Sequence, residues 1–173
     1  MKPSQGLRRS VARTVLVVGE GQSEELFLRH LCSLYQQRGS GVRITIKNAR
    51  GKGAQHVVDY AIRQSRNADF DERVALLDTD VGWNATTQNM ARKGRIEVLQ
   101  ATPCLEAVLL QIHGYPVENR TTAQLKQAFE AAFGASASAS NVFAQHFNAK
   151  EVEAARTRLP VLGRLLTLLQ TGK

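Results

Sequence analysis

Arg73-Val74-Ala75-Leu76-Leu77-Asp78-Thr79-Asp80 is the stretch that decides the fold. Four apolar residues run together without a polar interruption and stop abruptly at two aspartates. A short apolar run of this kind reads as a buried strand. Two more runs share the pattern. Thr14-Val15-Leu16-Val17-Val18 empties into Gly19-Glu20-Gly21-Gln22-Ser23-Glu24-Glu25, and Ile96-Glu97-Val98-Leu99 is followed by Thr102-Pro103-Cys104-Leu105-Glu106. A fourth segment, Val42-Arg43-Ile44-Thr45-Ile46, alternates apolar with polar residues and is also a strand.

The intervals between these runs have helical spacing. Phe27, Leu31 and Leu34 recur after Ser23, which can cap the helix with Glu24 and Glu25 in its first turn, and Gly39 and Gly41 end it. Val57, Val58, Ala61 and Ile62 mark a second helix, and Thr86–Arg92 a short third. Strands alternating with helices predict an α/β fold with about four mainly parallel strands. Beyond Pro103, which suits a first helical position, Leu105, Val108, Leu109 and Ile112 form one apolar face, closed by Gly114 and Pro116. Leu125, Phe129 and Phe133 mark a further helix. Ala135–Ser140 is low in complexity and reads as a flexible loop, and Pro160 as a break before Leu162, Leu165, Leu166 and Leu169. The expected organisation is a basic flexible tail over 1–12, an α/β core over 13–115 and a helical C-terminal extension over 116–173.

The 173 residues carry 23 Lys plus Arg against 15 Asp plus Glu, a net charge of +8. Such a balance favours nucleic acid, an anionic surface or an acidic partner. Cys32 and Cys104, and His30, His56, His113 and His146, fall into no zinc-ligand spacing. The first residues lack the apolar stretch of a signal peptide, and no run approaches a membrane span, so a cytoplasmic protein without membrane association is expected.

In an open parallel sheet, ligands bind outside the carboxyl ends of the strands. Glu20, Asp78 and Asp80 would converge there, with Glu106 nearby. Side chains two apart in a strand face the same way, so Asp78 and Asp80 would repel unless a cation joins them; their hard oxygens suit magnesium or manganese. The competing reading is a turn, since aspartate favours turns and Gly82 follows. Glu20 lies between Gly19 and Gly21, which allow a ligand close to the backbone; otherwise it is an ordinary loop carboxylate. Glu24 reads as a charge complementing the helix dipole. Glu106, on a strongly apolar helix, calls for a cation or strong donors. Arg50 and Lys52, in a glycine-bearing loop at the same edge, suit a phosphate as well as they suit plain solvation. His113 reads as a helix-end histidine. Gly19–Glu25 lacks the Gly-Lys-Ser/Thr ending of a P-loop.

Glu20-Gly21-x-x-Glu24 after a strand, Asp78-x-Asp80 after a later one, and Thr102-Pro103-Cys104-Leu105-Glu106 with Leu109-Leu110 resemble the pattern of the RloB-like proteins. These are a branch of the TOPRIM superfamily associated with bacterial restriction and abortive-infection loci. The resemblance runs from about Val15 to His113; Thr102, Leu105 and Val108 stand where the family has Asn, Phe and Trp, and His113 sits one residue late. It implies a TOPRIM-like core and a nuclease-like activity on DNA or RNA phosphodiesters, in phage defence and beside a partner ATPase. It implies that Glu20 is similar to the TOPRIM glutamate, a general acid/base or metal ligand, and Asp78 and Asp80 to the magnesium-binding pair. The candidate catalytic set is thus Glu20, Asp78, Asp80 and Glu106, with Glu20, Asp78 and Asp80 as ligands of magnesium or manganese and Arg50 and Lys52 as phosphate-binding residues. Two alternatives stand beside it: a non-catalytic nucleic-acid-binding or regulatory module, and a hydrolase of small phosphoesters.

Overall fold

A computed structural model describes residues 11–170. Most of the expected basic tail lies outside the described residues. Four strands, β1 (Arg13–Gly19), β2 (Val42–Asn48), β3 (Glu72–Asp78) and β4 (Glu97–Ala101), form one sheet in the order β2-β1-β3-β4. All three pairings are parallel. Helices α1 (Gln22–Tyr35), α2 (Gly53–Gln64) and α3 (Ala85–Lys93) connect successive strands. After β4 come α4 (Leu105–Ile112), α5 (Thr122–Phe133), α6 (Val142–His146), α7 (Ala149–Ala155) and α8 (Pro160–Leu169).

The unbroken apolar runs follow from burial on both faces. Val15, Val17, Val74 and Leu76 face one side and pack with α1 and with the helices that follow β4. Leu16, Val18, Ala75 and Leu77 face the other side, under Val57, Val58 and Ala61 of α2 and Ala91 of α3. Burying each large aliphatic side chain contributes roughly 1.5–3 kcal/mol, so neither layer of helices can leave the sheet cheaply. β2 and β4 lie at the two sheet edges and are only partly buried, which is why β2 alternates and β4 carries Glu97 and Gln100. At the amino-terminal end of the sheet Arg164 of α8 bonds Glu97 and Glu72, both at 2.7 Å, and Arg13 pairs with Glu72 at 3.1 Å. This tie holds α8 at the end opposite the carboxylates.

Local details differ from the sequence reading. Gly21, not Ser23, is the N-cap of α1, and α1 ends at Gln36 rather than at the glycines. Gly39 and Gly41, with φ of 79° and 76°, instead turn the chain into β2. Pro103 stands one residue ahead of Cys104, the N-cap of α4. The Ala135–Ser140 segment packs rather than hanging free. Ala137 is buried, Ser136 and Ser138 hydroxyls lie 2.9 Å apart, and Gln22 Nε2 donates to the Ser138 carbonyl at 3.2 Å. The Ser138 carbonyl ties the segment to the start of α1, a tertiary contact that composition does not encode. Among the described residues no helix is long and apolar enough to cross a membrane.

Candidate functional site

The chain leaves β1 for β2 on one side and later returns to β3 on the other. The carboxyl ends of β1 and β3 are therefore the point where strand order reverses, the place where such sheets open a crevice. Glu20 is the first residue beyond β1. Its N–H donates to the Leu76 carbonyl at 3.2 Å, its carbonyl accepts from Gly51 N–H at 2.7 Å, and its Oε2 accepts from Asp78 N–H at 3.1 Å. The Glu20 carboxylate is thus turned onto the last residue of β3.

Asp78 Oδ1 accepts from Leu105 N–H at 2.9 Å, at the positive end of α4. Asp80 does not continue the strand. Thr79 and Asp80 N–H both donate to the Pro103 carbonyl, at 3.1 Å and 3.2 Å, which bends the chain away from β3. Contrary to the sequence expectation, Asp78 and Asp80 therefore do not share a strand face: β3 ends at Asp78, and alternation ends with it. Asp80 is exposed and accepts from Thr122 Oγ1 of α5 at 2.8 Å. The Thr102–Glu106 segment acquires a local role here. Its Pro103 carbonyl sets the Asp80 backbone, its Leu105 amide holds Asp78, and it leads into Glu106.

Two carboxylates lie deeper. Glu106 is 7% exposed in the first turn of α4, and Glu24 is 6% exposed in α1. Glu24 Oε2 accepts from Gly21 N–H at 2.7 Å, the reach back to the cap amide that forms one half of a capping box. Gly19 makes room for it, since a Cβ there would fall 2.7 Å from Glu24 Cβ. Glu24 belongs to the site, which the dipole reading missed. The spacing Gly21-x-x-Glu24 was its signal, because a glutamate three residues past a cap reaches back to the cap amide.

These groups act on one another. Burial first, then the charges of Glu24, Glu20, Glu106 and Asp80, push the Asp78 carboxyl up to about 8. Glu20 is raised by burial; the hydrogen bond from Asp78 opposes this, Asp80 adds to it, and Lys126 of α5 opposes it. Burial also raises Glu24, with Glu20 and Glu106 adding to the effect. Burial pushes the neighbouring Cys104 thiol up to about 12, which leaves it an inert thiol. Thr122 and Lys126 reach the site from a helix more than forty positions along the chain from Asp80, and no local pattern announced them.

Arg50 and Lys52 occupy the loop from β2 to α2, both exposed. The loop takes an unusual path, with φ of 64°, 79°, 75° and 79° at Arg50, Gly51, Lys52 and Gly53. Asn48 Oδ1 accepts from Arg50 N–H at 2.7 Å, and the Gly51 bond ties the loop to Glu20. His113 ends α4, edge-on to Phe147 and 3.9 Å from Glu151, as a helix-end residue.

The donors at this edge are all hard oxygens, as magnesium or manganese requires. Asp78 and Asp80 each engage one oxygen in a hydrogen bond, while the Glu20 carboxylate meets both the Asp78 and the Gly53 amides. Among the described residues no group of three or more His, Cys, Asp and Glu could hold a metal ion by itself. The arrangement therefore suits a cation held by one or two carboxylates and otherwise by water and substrate phosphate, the usual habit of magnesium, rather than a protein cage. Compared with known proteins, the chain matches no family model and no curated sequence.

Proposed function

We propose that this protein is a magnesium- or manganese-dependent, nuclease-like protein of the TOPRIM type that hydrolyses nucleic-acid phosphodiesters. What supports the reading above all is the Glu20 carboxylate bonded to the Asp78 amide where strand order reverses, within a group of mutually repelling carboxylates. Buried like charges at a strand edge are costly to the fold, and such strain is characteristic of sites that await a cation or a proton. The resemblance to RloB-like proteins adds phage defence as the setting and an ATPase as a partner.

In this reading Asp78 and Asp80 hold the cation, with Glu20 beside them. When bound, the cation neutralises charge on the phosphate and favours hydroxide over water. The rest falls to the chain. Glu20, held by the Asp78 and Gly53 amides, takes the proton of an attacking water. As the water oxygen bonds phosphorus, the phosphorus–oxygen bond to the departing nucleotide breaks and that oxygen takes up a proton. Burial raises the basicity of Glu20, as a general base requires. Thr122 orients Asp80, and the Leu105 amide orients Asp78.

Labelled single- and double-stranded DNA and RNA, incubated with the protein and magnesium, manganese or a chelator, test this. Metal-dependent cutting of a polymer is the expected result. Binding without cutting would instead favour a nucleic-acid-binding module, a reading that draws on the lack of a three-residue metal group among the described residues. Turnover of mononucleotide esters alone would indicate a small-phosphoester hydrolase.

A further inference from the structure

Beside the β2 edge lies a cleft of about 920 Å³ between α1, β2 and α2. Five cationic side chains line it, Arg29, Lys47, Arg50, Lys52 and Arg63, against one carboxylate, Glu25. That carboxylate is already satisfied. Its Oε1 accepts from Arg29 at 2.8 Å and 3.0 Å, and its Oε2 from Asn48 at 3.0 Å. Arg63 pairs with Asp59 at 3.0 Å, but both side chains are more than half exposed, so the pair is weak. Lys47, Arg50 and Lys52 are exposed and form no ion pair among the described residues. A recess with this imbalance concentrates an anionic ligand.

The cleft also has an aromatic wall. Tyr60 of α2 lines it half-buried, with the Arg63 guanidinium 6.0 Å from its ring centre. Exposed cations along a groove with an aromatic face in its wall are the elements by which single strands are bound: phosphates meet the cations and an unpaired base stacks on the ring. A duplex turns its base faces inward and cannot use the ring.

The loop carrying Arg50 and Lys52 borders both this cleft and the carboxylate edge, since Gly51 N–H bonds the Glu20 carbonyl at 2.7 Å. We propose that the cleft binds single-stranded nucleic acid, with phosphates on Lys47, Arg50 and Lys52 and a base stacked on Tyr60, and leads the strand to the carboxylates. Only the final delivery step rests on the nuclease reading.

The test is fluorescence polarisation with a labelled oligodeoxythymidine, alone and as a duplex, in chelator so that no cutting intervenes. The single strand is expected to bind more tightly than the duplex. Tyr60→Leu should weaken single-strand binding by about tenfold, with Tyr60→Phe close to wild type. Lys47→Gln should reduce the log–log salt slope by about 0.7, while Lys93→Gln, an equal charge loss at the end of α3, should leave it unchanged. Photocross-linking of a bromouridine-bearing strand to the wild-type protein should map to residues 47–63. No binding, preference for duplex, equal losses at Lys47 and Lys93, no loss in a folded Tyr60→Leu, or cross-links elsewhere would each overturn the proposal. So would an acidic peptide that displaces the strand at lower concentration than the strand itself. Binding through the cleft without metal-dependent cutting would sink the nuclease reading alone.

Discussion

At Asp78 burial, one amide donor and four neighbouring carboxylates meet, and burial dominates. The folded chain holds this proton up to about pH 8, whereas the ordinary carboxyl value is 3.8. Between those limits the native state binds the extra proton, so this residue's contribution to stability is fully present at low pH and is lost as pH rises through the window. Asp78→Asn keeps an oxygen for the Leu105 amide and removes the titration. It is expected to raise Tm in metal-free buffer, little at pH 4 and progressively more toward pH 8. Each pH unit of displacement corresponds to about 1.4 kcal/mol, and for a chain of this size 1 kcal/mol moves Tm by about 2–4 °C. Thermal unfolding at several pH values checks this. A gap that does not grow with pH would mean that Asp78 titrates normally, and added magnesium or manganese should narrow the gap by stabilising the wild type.

Among the elements, the β1–α1 connection is the tightest part of the site. Gly19 has no free space for a side chain, because Glu24 Cβ lies only 2.7 Å from where its own Cβ would be. Gly19→Ala must move α1 or β1, at a cost of about 1–3 kcal/mol typical of overpacking, seen as a lower Tm. It should also depress any cutting, since Glu20 is the next residue; full activity at unchanged Tm would show that the contact is dispensable. The strands themselves were legible in the sequence, because Val15–Val18 and Val74–Leu77 are buried on both faces and leave no polar interruption. Glu20 and Asp78 were legible as strand-end carboxylates for the same reason. Asp80 was placed by the wrong argument: the Pro103 carbonyl, a partner far along the chain, ends β3 before it. Glu24 is not legible as a site residue, because a charge in a first helical turn is ordinarily solvated, whereas here it is buried with its Cβ against Gly19. Thr122 and Lys126 depend on how α5 docks, which no local pattern states.

Across the whole molecule, a net charge of +8 coexists with an acidic edge, and the loop around Arg50 to Lys52 borders both that edge and the basic cleft. Polymer affinity should therefore fall as salt rises, with a log–log slope of roughly −0.7 to −0.9 per phosphate contact; affinity that stays flat would count against a nucleic-acid partner. Binding would rest on the basic surface and chemistry on the carboxylates, so the two should separate by mutation. Cleavage of a labelled polynucleotide by wild type and by Glu20→Gln, side by side with magnesium, manganese or chelator, puts this most directly. Wild type should cut only with metal, and Glu20→Gln should lose on the order of 10²-fold or more in rate while binding the polymer as tightly as wild type. A folded Glu20→Gln that cuts as fast as wild type, or cutting that persists undiminished in chelator, would contradict the account.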